Sequence, residues 1–441
     1  MTLAEELKWR GLIQDTTLNK INLFNQKDWK LYIGFDATAP SQTIGNLAAM
    51  MTVLVFLRHN HQAVILAGGA TSLIGDPGGK EQERSLQDKQ VVEQNIAKAN
   101  QQFRQVFKNF DQQVTYTNNL NWFEDFKLLD FLRDVGKHFS MTPLIQRDFI
   151  ASRLGEGGSG ISYAEFSYTL LQGYDYLKLF EDYQCNLQIG GSDQWGNCLS
   201  GVELIRRKHQ AAVDILTLPL IINQATGKKF GKSEEQTIWL DDSMTHASDF
   251  YQFLLNTADE DVINYLKIFS QLTKPEIDDL ADKHQRNPAL RLPHIKLAEE
   301  LTSLVHNQKL KTCQLFSQLA FKGQSNFETS DIQAILEAEL DNQVINFRQP
   351  SSQIDQTASL TALYDELINK IPICQSRSQL KEFYDNQALK IILLNDFSNQ
   401  PIKGHKYTLN EFYVKKLWLE HSNSLGIIVI GKNTIRVLQF D

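Results

Sequence analysis

The stretch that most constrains the fold is residues 32–47, which read Tyr-Ile-Gly-Phe-Asp-Ala-Thr-Ala-Pro-Ser-Gln-Thr-Ile-Gly-Asn-Leu. The apolar run from Leu31 to Phe35 predicts the end of a buried strand. Pro40 and Ser41 break it. From Gly45 onward, Leu47, Met50, Met51, Leu54, Val55 and Leu57 recur at spacings of three and four, which predicts a helix. A strand feeding a helix through a short polar turn brings free backbone N–H groups and the positive end of the helix dipole to one point. That is a natural seat for phosphate, and glycine lets the backbone approach it closely. An ordinary strand–turn–helix carries the same signature, so the rest of the chain has to decide.

At 441 residues the chain is long enough for two to three domains. Strand patterns at 63–66, 114–117, 187–190 and 215–221 alternate with helical patterns at about 86–108, 123–139, 163–180 and 193–207. This alternation predicts an α/β fold with a mainly parallel, Rossmann-like sheet covered on both faces. Residues 68–80 are glycine-rich, read as too flexible for an element interior, and are expected to line a site. In 123–139, Phe126, Leu129, Leu132 and Phe139 mark an apolar stripe. Residues 155–160 hold four glycines and predict a loop. The expected division is a catalytic domain at 1–222, a glycine- and lysine-bearing loop with its linker at 223–246, and an α-helical domain at 247–322. A polar linker with one helix at 323–358 and a small α+β domain at 359–441 complete it.

The net charge of −8 shows no global basic field, although a local basic groove can sit on an acidic protein. Cys185, Cys198, Cys313 and Cys374 form no Cys-x-x-Cys pair, which argues against a zinc site or a disulfide framework and for buried thiols. The N-terminal residues carry acids and no apolar core, and no apolar run reaches the ~20 residues of a membrane span. The expectation is a cytoplasmic protein without a protein-ligated metal.

Several constellations carry chemistry. The turn offers Thr38, Thr43, Gly45 and Asn46. Residues 227–233 read Gly-Lys-Lys-Phe-Gly-Lys-Ser, and Lys229 and Lys232 could clamp a polyphosphate, although a solvated basic turn looks the same. Asp76, Lys80 and Arg84 could act likewise. In the helix at 163–180, Tyr168, Gln172 and Asp175 fall at i, i+4 and i+7 and share one face. A polar stripe among Phe166, Leu170, Tyr174 and Leu177 either faces water or lines a polar pocket, one suited to a ligand with an ammonium and a hydroxyl. Residues 188–197, Gln-Ile-Gly-Gly-Ser-Asp-Gln-Trp-Gly-Asn, form a close-approach turn in which Asp193 holds a ribose hydroxyl or merely caps a helix.

In this order and spacing, these segments resemble the bacterial tyrosyl-tRNA synthetases, class I aminoacyl-tRNA synthetases. The resemblance is strong over about residues 1–320 and weaker beyond. It implies ATP-dependent activation of L-tyrosine to tyrosyl-adenylate, with Mg2+ accompanying the ATP, and transfer to the 3′ end of tRNA(Tyr) by a homodimer. It puts Tyr32 and Asp175 at the substrate phenol and Asp76, Tyr168 and Gln172 at its ammonium, with Asn119 and Gln194 in support. Gly34, Asp36, Gly45, Gly191 and Asp193 then belong to the ATP site. Thr38, Thr43 and Asn46 face the reacting phosphate. Lys80, Arg84, Lys229, Lys232 and Ser233 would grip the pyrophosphate. No general base is needed, because the tyrosine carboxylate is already a nucleophile, so catalysis is expected to be differential binding of the transition state.

Two departures stand out. The family turn His-Ile-Gly-His is here Thr43-Ile44-Gly45-Asn46. Asn46 keeps a donor, but Thr43 is shorter and cannot be charged, and losing one transition-state donor typically costs about 3–4 kcal/mol. A Thr there also resembles related nucleotidylyltransferases, which still transfer nucleotides. The second departure is the region matching the family's S4-like RNA-binding domain. Residues 331–441 hold 11 Lys plus Arg against 13 Asp plus Glu, thin for a domain whose RNA affinity rests on phosphate contacts. Two alternatives therefore stay open: a diverged paralogue that passes tyrosyl-adenylate to a non-tRNA acceptor, and a non-catalytic RNA-binding or regulatory protein of the same fold.

Overall fold

A computed structural model describes residues 1–76, 87–155, 157–224, 227, 229–231 and 237–318, and five strands further on. The elements run α1 (Leu3–Arg10), β1 (Asp15–Thr16), β2 (Lys30–Asp36), α2 (Ile44–Arg58), β3 (Gln62–Gly68), α3 (Gly69–Ile74), α4 (Lys89–Phe107) and β4 (Val114–Asn118). Then come α5 (Leu120–Phe123), α6 (Leu128–Asp134), α7 (Met141–Ile145), α8 (Asp148–Leu154), α9 (Tyr163–Tyr183), β5 (Leu187–Gly191), α10 (Trp195–His209) and β6 (Asp214–Leu218). Helices α11 (Ala247–Leu255), α12 (Asp259–Phe269), α13 (Lys274–Arg286), α14 (Leu292–His306) and α15 (Leu310–Ser317) follow, then strands β7 (Val344–Phe347), β8 (Leu389–Leu394), β9 (His405–Thr408), β10 (Leu425–Ile430) and β11 (Thr434–Phe440). The chain divides into two compact units, 1–244 with 259–286, and 245–258 with 287–441.

The first unit is a six-stranded sheet in the order β1-β6-β5-β2-β3-β4, in which only the β1–β6 pair is antiparallel. The expected mainly parallel α/β sheet is therefore present. From β2 the chain winds outward through β3 to β4, then returns to the other side of β2 as β5 and β6. The order reverses between β2 and β5, and in open parallel sheets the crevice at the carboxyl ends of such strands is where ligands bind. Helix α2 is apolar nearly all round and buried accordingly, with Leu47, Met50, Val53, Leu54 and Phe56 inaccessible or almost so. Arg10 of α1, itself buried, donates to the carbonyls of Lys267, Ser270 and Leu272 at 2.6, 2.8 and 2.7 Å. Glu6 receives Arg10, Arg58 and His59. Burial would raise the Glu6 carboxyl, but these three partners hold it below its ordinary value. This knot fastens α12 to the sheet unit.

Three expectations change. Residues 68–80 are not loop throughout, because 69–74 form α3. The glycines serve close approach rather than flexibility: a Cβ on Gly68 would collide with the Asp36 carboxylate, and one on Gly69 would lie 2.5 Å from Asn118 Oδ1. The helix expected over 123–139 is broken into the ends of α5 and α6 and a 3-10 turn at Gly136–His138. Phe126, Phe131 and Phe139 pack inward against the buried cluster that holds Tyr176 and Leu177, whereas Leu128 and Leu129 are 70% and 77% exposed, so the stripe is split between two faces. The strand expected at 215–221 stops at Leu218, one residue before Pro219, which cannot donate to a ladder.

In the second unit, α11 and α14 bury Phe250, Leu254, Leu297 and Leu301. Its sheet runs β7-β11-β10-β8-β9, with β7 parallel to β11 and the other pairs antiparallel. Strand β7 falls inside the segment 323–358 that was expected to hold one helix. The expected helix near 331–340 lies outside the described residues. Cys185 and Cys198 are buried free thiols, Cys313 is buried, and Cys374 lies outside the described residues. No described helix is long and apolar enough to cross a membrane.

Candidate active site

A cavity of about 470 Å3 opens at the β2/β5 crevice. Among the residues proposed from the sequence, Tyr32, Gly34, Asp36, Thr38, Thr43, Gly45 and Asn46 line it from β2 and the turn into α2. Asp76, Tyr168, Gln172, Asp175, Gly191, Asp193, Gln194 and Lys229 line it from elsewhere in the first unit. Asn119 stands behind this wall, fully buried. Lys80, Arg84, Lys232 and Ser233 lie outside the described residues.

One end of the cavity is a chain of side-chain hydrogen bonds. The buried Asp175 carboxylate accepts from Trp122 Nε1 at 2.8 Å and from Asn119 Nδ2 at 3.1 Å. Asn119 Oδ1 accepts from the backbone N–H of Ala70 at 2.7 Å, and its Nδ2 also reaches Thr71 Oγ1 at 3.1 Å. Thr71 then donates to Asp36 Oδ1 at 2.7 Å, and Tyr168 Oη donates to Asp36 Oδ2 at 2.9 Å. Burial pushes the Asp175 carboxyl up to about 8, with the Asp36 charge adding to the rise and the two N–H donors opposing it. Burial likewise holds the phenols of Tyr32 and Tyr168 well above their ordinary value, and Asp36 and Asp76 reinforce the effect at Tyr168. Both phenols are therefore neutral donors. Tyr32 Oη and Gln172 Oε1 are buried with no hydrogen-bond partner among the described residues. Asp76 accepts from Gln194 Nε2 at 2.7 Å.

The other end is built from backbone. Thr43 is the N-cap of α2 and forms a reciprocal capping box with Asn46. Thr43 Oγ1 donates to Asn46 Oδ1 at 2.7 Å, the Thr43 N–H reaches the same oxygen at 3.0 Å, and the Asn46 N–H returns to Thr43 Oγ1 at 3.3 Å. The Thr43 hydroxyl proton is thus committed to the cap, while Asn46 Nδ2 keeps its donors. Gly45 is exposed at the helix mouth. The segment after the lysine-bearing loop is laced to this turn. Ile44 N–H donates to Ile238 O at 3.0 Å, Ile238 N–H to Gly231 O at 2.9 Å, and Leu240 N–H to Gln42 O at 2.9 Å. Gly231 adopts φ +79°, and any Cβ there would drive into Ile44. Phe230 packs its ring 4.3 Å from Tyr265 and 5.2 Å from Phe269, centroid to centroid, which fixes the root of Lys229 on α12.

Asp193 does not cap α10: residues 192–194 form a 3-10 turn, and the α10 N-cap position falls on Gln194, with no side-chain cap bond. Its carboxylate instead lies over Gly191, where a Cβ would come within 2.5 Å of Oδ1. Thr71, Trp122 and Gln188 were not singled out from the sequence. Thr71 was hidden in a segment read as flexible. Trp122 is brought to Asp175 by the turn into α5, which no periodicity reveals. Gln188 is internal to a strand and reads as one more alternating position.

The family model for class I tRNA synthetases (W and Y) matches residues 25–315. The chain belongs to this family. It is 41% identical over 400 residues to the tyrosine–tRNA ligase of Bacillus caldotenax, covering 89% of this chain and 91% of that one. It is also 41% identical over 399 residues to tyrosine–tRNA ligase 1 of Bacillus subtilis (strain 168), covering 88% and 90%. Among solved structures, the C-terminally truncated Aspergillus nidulans mitochondrial tyrosyl-tRNA synthetase superposes with a TM-score of 0.65 at 29% identity, covering 73% of this chain and 94% of that one.

Proposed function

We propose that this chain is a tyrosine–tRNA ligase, which joins L-tyrosine to ATP and passes the tyrosyl group to the 3′ end of tRNA(Tyr). The observation that carries the reading is the Asp175 carboxylate, buried and gripped by Asn119 and Trp122, in one cavity with the unpartnered hydroxyl of Tyr32. Such a pair suits an aromatic hydroxyl and leaves its own polar groups unserved by a phenyl ring. Asp76, Tyr168 and Gln172 take the substrate ammonium. In the first step a tyrosine carboxylate oxygen attacks the α-phosphorus of ATP. The bond to the bridging oxygen breaks, and pyrophosphate leaves with the electron pair. ATP enters as its magnesium complex. Thr38, Gly45 and Asn46 meet the reacting phosphate, Gly191 and Asp193 the ribose, and Lys229 the departing pyrophosphate. Lys80, Arg84, Lys232 and Ser233 join Lys229 in this reading by resemblance alone.

The protein works in the cytoplasm as a homodimer. The exposed apolar side chains of Leu128, Leu129 and Met141 support this reading. The test is tyrosine-dependent ATP–pyrophosphate exchange measured beside charging of tRNA(Tyr). Both activities are expected. Exchange without charging would redirect the adenylate to another acceptor, and no exchange at saturating tyrosine would sink the reading.

A further inference from the structure

Helix α4 buries an apolar stripe that includes Val92, Ile96, Ala99, Phe103 and Val106. Asn95 interrupts that stripe, and Gln102 follows seven residues later on the same side of the helix. Both amides reach the turn between β2 and α2. Asn95 Nδ2 donates to Ala37 O at 3.0 Å. Gln102 Oε1 accepts the Gln42 N–H at 2.9 Å, and Gln102 Nε2 donates to Ser41 Oγ at 3.0 Å. An irregular turn has to find partners for its buried main-chain groups, and these amides supply them. Gln102 also reaches past the turn. Ser41 Oγ donates to Gln42 O at 2.8 Å and accepts the Asp241 N–H at 3.0 Å. With Gln102 Nε2, these bonds use the one proton and both lone pairs of the hydroxyl. Asp241 lies in the segment after the lysine-bearing loop, where Leu240 N–H donates to Gln42 O and Trp239 bridges Thr43. Helix α4, the turn and the returning segment therefore meet at Ser41. Ser41 and Gln42 are 4% and 3% exposed, so water has little access to replace these links.

We propose that Gln102 is a positioning residue for amino-acid activation, holding the turn into α2 in register with the segment that returns from Lys229. The inference rests on reading this turn as the seat of the ATP phosphates. Gln102 does not line the cavity; Ser41 and Gln42 do, and it acts through them. An amide kept only to close the turn would stop at the Gln42 N–H. The second bond continues through Ser41 to Asp241, joining positions 200 residues apart. Donors that act on developing charge have to be in place before the reaction, and a small misplacement is costly. Losing Gln102 orphans the buried Gln42 N–H and cuts α4 off from Ser41, so the Asn46 and Lys229 donors lose their common reference. The hydrogen-bonded chain from Trp122 to Tyr168 does not run through Gln102, so the tyrosine end keeps its geometry.

The experiment compares Gln102→Leu with wild type in two measurements. Amide hydrogen–deuterium exchange follows residues 238–241, with strand β4 as the internal reference. ATP–pyrophosphate exchange gives kcat and the tyrosine KM. In the variant, residues 238–241 should take up deuterium about tenfold faster while β4 is unchanged. The kcat should fall about tenfold with the tyrosine KM unmoved. A purely structural role would speed deuterium uptake in both segments alike and leave the kcat of the folded fraction intact. Unchanged protection at 238–241 overturns the proposal, and so does lost protection with kcat intact. Should Gln102→Leu fail to fold, Gln102→Met is judged by the same two measurements. If the wild-type chain shows no pyrophosphate exchange, the ligase reading has failed. The tie through Gln102 is then decided by deuterium uptake alone, with the same tenfold criterion.

Discussion

At one end of the cavity, Trp122, Asp175, Asn119, Thr71, Asp36 and Tyr168 form an unbroken chain of side-chain hydrogen bonds, every member buried or half-buried. At the other end, the turn into α2 offers helix N–H groups and the Asn46 amide, and Lys229 comes in from a loop rooted on α12. The first end is a rigid template whose groups cannot be exchanged singly without orphaning a neighbour. The second draws much of its positive field from main chain, which no substitution removes. This contrast explains where the chain tolerates departure from its family. Thr43 replaces a histidine at the backbone-built end and finds a place as a cap, whereas the buried chain keeps each residue that the resemblance asks for.

The largest expected effects come from removing side-chain donors at the end proposed to meet the phosphates. Lys229→Ala and Asn46→Ala should each lower kcat for pyrophosphate exchange about 10²–10³-fold and leave the tyrosine KM nearly unchanged, since such donors act on charge that develops in the transition state. A rise in tyrosine KM with kcat intact would erase the distinction between the two ends. At the template end, Asp175→Ala strands Asn119 Nδ2 and Trp122 Nε1. It should cost about 3 kcal/mol, or roughly 10²-fold in kcat/KM for tyrosine, with the ATP KM unmoved. Retained preference for tyrosine over phenylalanine would move the phenol site elsewhere.

The same carboxyl makes the comparison sensitive to pH. Its folded-state value, about 8, lies above the ordinary 3.8, so the folded protein holds a proton that the unfolded chain gives up. The stability this proton confers is fully present below pH 4 and is lost as pH rises through 8. Urea unfolding at pH 5, 6.5 and 8 should therefore show wild type losing ground to Asp175→Asn as pH rises. A constant difference would mean that Asp175 is ionised throughout. Thr71→Val, which keeps shape and removes the hydroxyl joining Asp36 to Asn119, should raise the tyrosine KM about tenfold. No change would make that link structural decoration.

How much of this was legible before the structure depended on whether periodicity or packing carried the information. Tyr168, Gln172 and Asp175 announced a shared face through their i, i+4, i+7 spacing, and α9 brings all three to the cavity. The alternating strands and helices gave the sheet. Thr71 was missed because Gly68 and Gly69 were read as flexible, when they are there so that Asp36 and Asn118 can press against the backbone. The apolar stripe at 126–139 failed because inward aromatics and outward leucines follow one another too closely for a single helix to serve both. Trp122 reaches Asp175 across 53 positions, a distance that no local pattern spans.

The smallest expected effect is the most instructive about the turn. A threonine in a histidine's place suggests a weakened catalyst if the hydroxyl is judged as a transition-state donor. Its bonds assign it differently: Oγ1 gives its proton to Asn46 Oδ1 and accepts the Asn46 N–H, so it holds α2 and orients the Asn46 amide. Thr43→Ala should then cost about 1 kcal/mol of stability, the usual worth of an N-cap, while exchange falls by no more than about threefold. Thr43→Ser, which keeps the cap, should restore the stability. If instead Thr43→Ala lowers kcat by tens of fold while the urea midpoint stays put, the hydroxyl is serving the phosphate directly. The phosphate end would then depend on its side chains as strictly as the template end does.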